Sequence, residues 1–236
     1  MIRLDKLVAD VGIGTRSEAK KMIRKGLFKV NGIVNKIPDY KVNAEDVISY
    51  LNQEFQYQKY VYYMLHKPSG VVSAREDHRD ETVLDLLNDA YTKDVFPVGR
   101  LDKDTEGLLL LTNDGQLAHD LLSPKKHVDK TYFARIQGAV TVTDVIAFEQ
   151  GLDIGEKKPT LPATLRILKA GDTSEVEIVI REGKFHQIKR MFRTLDKEVL
   201  YLKRIQMGPL SLDSKLELGS YRELTTEEIS KLKGYK

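Results

Sequence analysis

The spacing of apolar residues changes near residue 60, and no other feature limits the available folds so strongly. Before that point Leu4, Leu7, Val8 and Val11 recur at i, i+3, i+4 and i+7, the period of a helix that buries one face. After it, YVYYMLHKP (60–68), LLLLT (108–112), KTYFARI (130–136), SEVEIVI (174–180) and VLYLKRIQ (199–206) read as strands, with Val176, Ile178 and Ile180 alternating as a half-buried strand requires. The stretch between, LNQEFQYQKY (51–60), is polar and glutamine-rich and has no clean apolar period. A domain boundary is expected there, giving 1–58 and 59–236, and a chain of 236 residues suits two domains with real cores.

Local signals sharpen both halves. Gly12 and Gly14 end the first helix, and Thr15-Arg-Ser-Glu18 then has the form of a capping box opening a second helix to about Lys25, with Gly26 as its left-handed cap. On that helix Ala19, Met22 and Ile23 face inward, while Arg16, Lys20 and Arg24 form an i, i+4, i+8 row beside Lys21 and Lys25. Like charges at that spacing oppose helix formation by roughly 0.2–0.5 kcal/mol per pair, which points to a reason other than helix stability. Phe28–Val30, Asn31-Gly32 and Ile33-Val34 predict a hairpin across a type I′ turn. In the larger half a helix is expected at about 82–90, and Thr225-x-x-Glu228 predicts a last short helix. The fold class is therefore α+β: a small N-terminal domain, then a catalytic-sized domain on an extended, mostly antiparallel or mixed sheet with flanking helices.

Composition narrows the chemistry. No cysteine is present, which excludes disulfides, thiol nucleophiles, cysteine-held zinc and iron–sulfur clusters. The first residues, MIRLDKLVADVG, carry acids and no signal-cleavage site, and no apolar run approaches the roughly 18 residues of a membrane span. A soluble, cytoplasmic protein with no membrane partner is expected. The net charge is only +3, but residues 1–60 hold eleven Lys/Arg against seven Asp/Glu, whereas the other 176 hold 27 against 28. The basic excess is concentrated in the first quarter.

Three segments could carry chemistry. In Gly99-Arg-Leu-Asp-Lys-Asp-Thr-Glu-Gly-Leu-Leu-Leu-Leu-Thr-Asn-Asp-Gly115 the acids at 102, 104 and 106 imitate a calcium loop, but Asn113 stands where its bidentate glutamate belongs, so calcium is not expected. A solvated turn is the plain alternative, and placement beside a four-leucine core strand argues instead for displayed catalytic groups. Lys130-Thr-Tyr132 is a weak signal alone, since a strand tyrosine is usually packing. In Arg181–Arg193, Ile188, Met191, Phe192 and Leu195 fall at helical spacing, opposite an arc of His186, Lys189, Arg190 and Arg193. Residues 181–204 hold eight Lys/Arg against three acids, so basic surfaces lie in both halves, and a long polyanion touching both would be a phosphate backbone. The five histidines show no metal spacing, and no nucleotide-binding glycine loop is complete.

These segments together resemble the bacterial ribosomal pseudouridine synthases of the RsuA type. His66-Lys-Pro-Ser-Gly70 resembles the family's first motif, GRLDKDTEGLLLLTNDG its second, Lys130-Thr-Tyr132 its tyrosine motif and EGKFHQIKRMF its third, while the first fifty or so residues look like an S4 RNA-binding domain of the α-L type. The resemblance implies that Asp102 is the catalytic aspartate. It also implies that Tyr132 packs on the target base or removes a sugar proton, and that Arg100 fills the space left by the flipped nucleotide. Lys189 or its neighbour Arg190 would pair with Asp102. RNA contacts would come from Arg16, Lys20, Lys21, Arg24, Lys25, Lys67, Arg190 and Arg193. The reaction implied is isomerisation of uridine to pseudouridine, which needs no metal and no cofactor.

Within the family, Ser123–Tyr132, Lys158–Ala163 and His186–Arg190 look more like the enzyme acting on 16S rRNA, at a uridine of the 516 type, than like its 23S-directed relatives. The expected partner is thus 16S rRNA, free or in a 30S assembly intermediate, with the protein a monomer. Three other readings stand beside this one: a 23S stem-loop as substrate, a non-catalytic rRNA-binding assembly factor, and a two-carboxylate glycosidase, the last weakened by the absence of tryptophan.

Overall fold

Two residues at the start, β1 (Ile2–Arg3), lead directly into α1 (Leu4–Asp10), whose Leu4, Leu7 and Val8 are buried at the spacing read from the sequence. The structure is a computed structural model describing residues 1–56, 59–88 and 94–235. Thr15 and Glu18 close the reciprocal cap, Glu18 N donating to Thr15 Oγ1 and Thr15 N to the Glu18 carboxylate, and open α2 (Arg16–Arg24), which buries Ala19 and Ile23. The hairpin of β2 (Phe28–Val30) and β3 (Ile33–Val34) turns through Asn31 (φ 51°) and Gly32 (φ 80°), both left-handed as a type I′ turn demands. With β4 (Lys41–Val42) beside β1, and β5 (Val47–Tyr50) and β6 (Gln53–Gln56) extending the hairpin in the order β3-β2-β5-β6, these elements enclose a core of Leu4, Val8, Ile23, Phe28, Val42 and Ile48.

β6 lies inside the stretch whose polarity gave no strand period. Leu51 (φ 48°) and Asn52 (φ 65°) make a tight reversal, and one apolar side chain, Phe55 opposite Ile48, anchors the strand to the core. Tyr57 and Gln58, also in that stretch, lie outside the described residues.

A second unit is built on Tyr62–Asn88 and Phe96–Lys236. Its elements are β7 (Tyr62–Lys67), β8 (Phe96–Pro97), β9 (Glu106–Thr112), α3 (Gly115–Leu122), β10 (Lys130–Gln137), α4 (Val142–Gln150), β11 (Thr164–Lys169), β12 (Thr173–Ile180), α5 (Gln187–Arg193), β13 (Glu198–Met207), β14 (Leu210–Ser211), β15 (Tyr221–Glu223) and α6 (Thr226–Gly234). The strands form one mixed sheet in the order β11-β12-β10-β13-β9-β7-β15, with β14 on β13 and β8 on β9. Every pairing in it is antiparallel except β9 with β13, which meet in parallel through Glu106 with Lys203 and Gly107 with Arg204. The sheet is therefore two antiparallel halves joined at one short seam.

Gly107 makes that seam possible. It sits at φ +107°, and a Cβ on it would lie 2.2 Å from the Arg204 carbonyl oxygen. Arg204 is itself buried and donates from Nε to the Leu108 carbonyl at 2.8 Å.

The helix expected at about 82–90 does not form over 82–88, and residues 89 and 90 lie outside the described residues. Thr82 donates from N and Oγ1 to Asp85 Oδ2 and bridges to Val72, and the following bonds are of the i→i+3 kind, Asp85 N to Thr82 O and Leu87 N to Leu84 O. Val83 and Leu87 are buried all the same, so the apolar spacing that suggested a helix is met by consecutive turns. No helix among the described residues is long and apolar enough to cross a membrane.

Candidate active site

The loop before β9 is shaped by small residues and held from below. Gly99 takes φ +78°, where a Cβ would stand 3.0 Å from Leu122, and Leu101 turns inward, its N bonded to Ser73 Oγ and its carbonyl accepting from the same hydroxyl. Arg100 and Asp102 flank this buried leucine and line a cleft of about 660 Å³. One wall is Ser73, Ala74, residues 100–103 and Thr105, from the β7–β9 half of the sheet; the other is Tyr132, Ile180, residues 183–188 and Leu202, from the β10–β13 half. The cleft spans the seam.

Asp102 is a quarter exposed, with two nitrogen groups near its carboxylate: Lys189 Nζ at 3.4 Å and His186 Nε2 at 3.7 Å. Lys189 is drawn more closely to Asp104, at 2.5 and 2.8 Å. Burial pushes the Asp104 carboxyl upward, but the Lys189 bond and charge, a backbone bond and the nearby His186 together more than offset it and leave Asp104 below the usual carboxylate range. Arg190 faces elsewhere, donating to Glu156 at 2.7 Å, to the Phe185 carbonyl at 3.1 Å and to the Ile154 carbonyl. Lys189 is thus the basic residue beside Asp102. Tyr132 is buried on β10 against the same cleft. Arg100 is exposed and makes no hydrogen bond or ion pair among the described residues, so its five donors remain available.

Lys67 departs from its expected place among the RNA-contacting residues. Its side chain is fully buried, and Nζ donates to the carbonyls of Pro68 (2.9 Å), Lys103 (3.1 Å) and Thr105 (2.9 Å). Burial on both faces explains the difference: β7 is buried along its whole length, so its last residue has no solvent face to turn to and runs under the 102–105 loop. Burial brings the ammonium down to about 8, although Asp104, Asp102 and Glu106 work in the opposite direction.

In the N-terminal unit Asp5 is buried and accepts two bonds from Arg3 (3.0 and 2.9 Å), with Arg16 and Lys20 at 3.7 and 3.9 Å. The first two members of the basic row are therefore partly neutralised, which offsets the repulsion on α2. Lys21, Arg24 and Lys25 are exposed, as is Arg193 on α5.

Sequence reasoning missed Asp5, Asp104 as a partner of Lys189, and His186 beside Asp102. His186 had a signal in the helical spacing that grouped it with Lys189, but it stands at the left-handed cap (φ 48°) just before α5, not on a face of the helix.

Comparison with known proteins adds to this geometry. The family described as RNA pseudouridylate synthase matches residues 61–194, and the S4 domain matches residues 2–48. An uncharacterized RNA pseudouridine synthase of Bacillus subtilis is 44% identical over 232 residues, covering 97% of each chain. Ribosomal small subunit pseudouridine synthase A of Haemophilus influenzae is 40% identical, covering 98% of this chain and 99% of its own. Ribosomal large subunit pseudouridine synthase B of Bacillus subtilis is 38% identical, covering 99% of this chain and 96% of its own. A crystal structure of a pseudouridylate synthase superposes with a TM-score of 0.69 at 39% identity, covering 98% of this chain and 100% of that one.

Proposed function

Because the chain belongs to the RNA pseudouridylate synthase family, we propose that it converts one uridine of 16S rRNA, of the 516 type, to pseudouridine. Residues 1–58 hold RNA and residues 59–236 carry the chemistry, with the protein working in the cytoplasm as a monomer on rRNA or a 30S assembly intermediate. The observation that carries the reading is Asp102: a partly exposed carboxylate in a cleft, near two nitrogen groups, whose side chain accepts no hydrogen bond from a described residue. Its oxygens are free for a substrate.

The reaction breaks the N1–C1′ bond of uridine, turns the base and forms a C5–C1′ bond, while the hydrogen on C5 leaves and N1 gains one. Neither redox change nor net water is involved, so one carboxylate acting as nucleophile or base suffices. The uridine must leave its stack, at a cost of a few kcal/mol, and enter between Tyr132 and the Asp102 loop. Arg100, with its donors unspent, takes the place the base vacates. Lys189 sets the position of Asp102, and the exposed cations Lys21, Arg24, Lys25 and Arg193 meet phosphates.

The 16S assignment is supported by the small-subunit enzymes among the relatives, including that of Vibrio cholerae at 38% identity. The large-subunit relative at 38% identity favours a second reading, a 23S stem-loop. Pseudouridine mapping by carbodiimide adducts and primer-extension stops, on both rRNAs and on assembling subunits, separates them. A single new stop in 16S, absent with Asp102→Asn, is the expected result. Stops only in 23S select the second reading, and tight binding without any stop reduces the protein to an RNA-binding assembly factor.

A further inference from the structure

We propose that Phe185, backed by His186, is a stacking platform for the nucleobase adjacent to the isomerised uridine. This rests on the reading of the cleft as a uridine site. Phe185 is 72% exposed, the highest value of any phenylalanine or tyrosine among the described residues, and it stands on the rim of the cleft that holds Asp102 and Tyr132. An exposed phenylalanine on a loose loop would carry no meaning. Here the loop is tied down at Lys184 and at Phe185: Lys184 N donates to Gln187 Oε1 (2.9 Å), Lys184 Nζ to the carbonyls of Lys158 and Pro159, and Arg190 to the Phe185 carbonyl itself. The conformational entropy of presenting the ring has been spent before any ligand arrives.

The ring is also braced from one side. The His186 imidazole lies on it with centroids 3.8 Å apart and planes 18° from parallel, and the Nε2 of that imidazole is 3.7 Å from Asp102. A single imidazole therefore separates the exposed ring from the reacting carboxylate. With the target base beside Asp102, the neighbouring nucleotide is the one within reach of Phe185. RNA recognised away from its duplex is held by stacking splayed bases on aromatic side chains, in a manner tolerant of base identity. Phe185 accordingly sets the position of the strand entering the cleft, whatever base comes next.

The test uses an RNA stem-loop containing the mapped uridine, with 2-aminopurine replacing the base on its 5′ or its 3′ side, and the Asp102→Asn protein to hold the complex unreacted. Quenching of the probe at one of the two positions is expected, and Phe185→Leu should abolish it while Phe185→Trp retains it. In the otherwise native enzyme Phe185→Leu should lower kcat/KM about ten-fold, mainly through KM, and Phe185→Trp should restore it. Pseudouridine formation with unchanged kcat/KM in Phe185→Leu, or quenching at neither position, overturns the platform and leaves the enzyme reading intact. Absence of pseudouridine with the native chain removes the enzyme reading, and the platform with it.

Discussion

Replacing Lys67 by methionine tests whether a buried ammonium holds the Asp102 loop from beneath. The substitution keeps a long unbranched side chain and removes three donated bonds. The Lys103 carbonyl retains a donor, Gly70 N at 2.8 Å, so the carbonyls left without one are those of Pro68 and Thr105. Two orphaned buried acceptors cost about 1–3 kcal/mol each, and the third lost bond about 1. Against this, removing the cation relieves the burial that lowers Lys67 from 10.5 to about 8, worth on the order of 3 kcal/mol. The net loss at pH 7 should be about 2 kcal/mol.

Its pH dependence is the sharper test. Between about 8 and 10.5 the unfolded chain keeps a proton on Lys67 that the folded chain has released, so native stability rises with pH across that window. The methionine variant has no such proton. The gap between native and variant proteins should therefore widen by about 1 kcal/mol from pH 7 to pH 9, read from urea midpoints at each pH. The variant should also lose at least about ten-fold in kcat, because the loop carrying Asp102 is no longer pinned. A gap that is constant or narrows with pH would refute the burial argument, and an unchanged kcat would refute the pinning.

Other outcomes follow from the same structure. Asp5→Asn should destabilise the N-terminal unit by about 1 kcal/mol, because the charge-assisted bonds from the partly exposed Arg3 are weakened while no buried charge is left unpaired. Burial raises the Asp5 carboxyl but Arg3, Arg16 and Lys20 more than offset it, so its contribution holds above the ordinary value of 3.8 and is lost as pH falls through the lower folded value; the acid limb of the stability curve should be flatter in the variant. Changing Lys21, Arg24 and Lys25 together to Gln should reduce the log–log salt slope of RNA binding by about 2–3 with the melting temperature unchanged, and an unaltered slope would show that these cations are only solvated. Gly107→Ala should cost at least about 3 kcal/mol in thermal or urea unfolding, since the added carbon would meet backbone, not a side chain that can swing away.

What the sequence disclosed was mostly local. The Thr15–Glu18 cap, the Asn31-Gly32 turn and the alternation of Val176, Ile178 and Ile180 are each decided by residues within a few positions, and each is present in the structure. Where tertiary partners decide, sequence pattern misled. Val83 and Leu87 have helical spacing, yet the Thr82–Asp85 bonds and the bridge to Val72 impose turns. Gln53–Gln56 has almost no apolar content and becomes a strand because β5 offers an edge. The charge of Lys67 suggested an outward contact with RNA, but its strand is buried on both faces and the ammonium is spent on backbone carbonyls. In the site, the contiguous segment 99–115 made Asp102 visible, but the choice between Lys189 and Arg190 depended on Glu156 and on the carbonyls of Ile154 and Phe185, which no spacing reveals.

The crossing at Gly107 also governs the aperture of the cleft. Asp102 belongs to a loop that runs straight into β9, and Tyr132 to β10, which is hydrogen-bonded to β13; the two groups are held at a fixed separation only because β9 and β13 approach within the reach of a bare α-carbon. Any side chain at 107 would act as a wedge, spreading the two halves and drawing apart the carboxylate and the tyrosine that line the same cleft. The gauge of the cleft is thus set by one missing carbon atom, a few residues along the chain from Asp102.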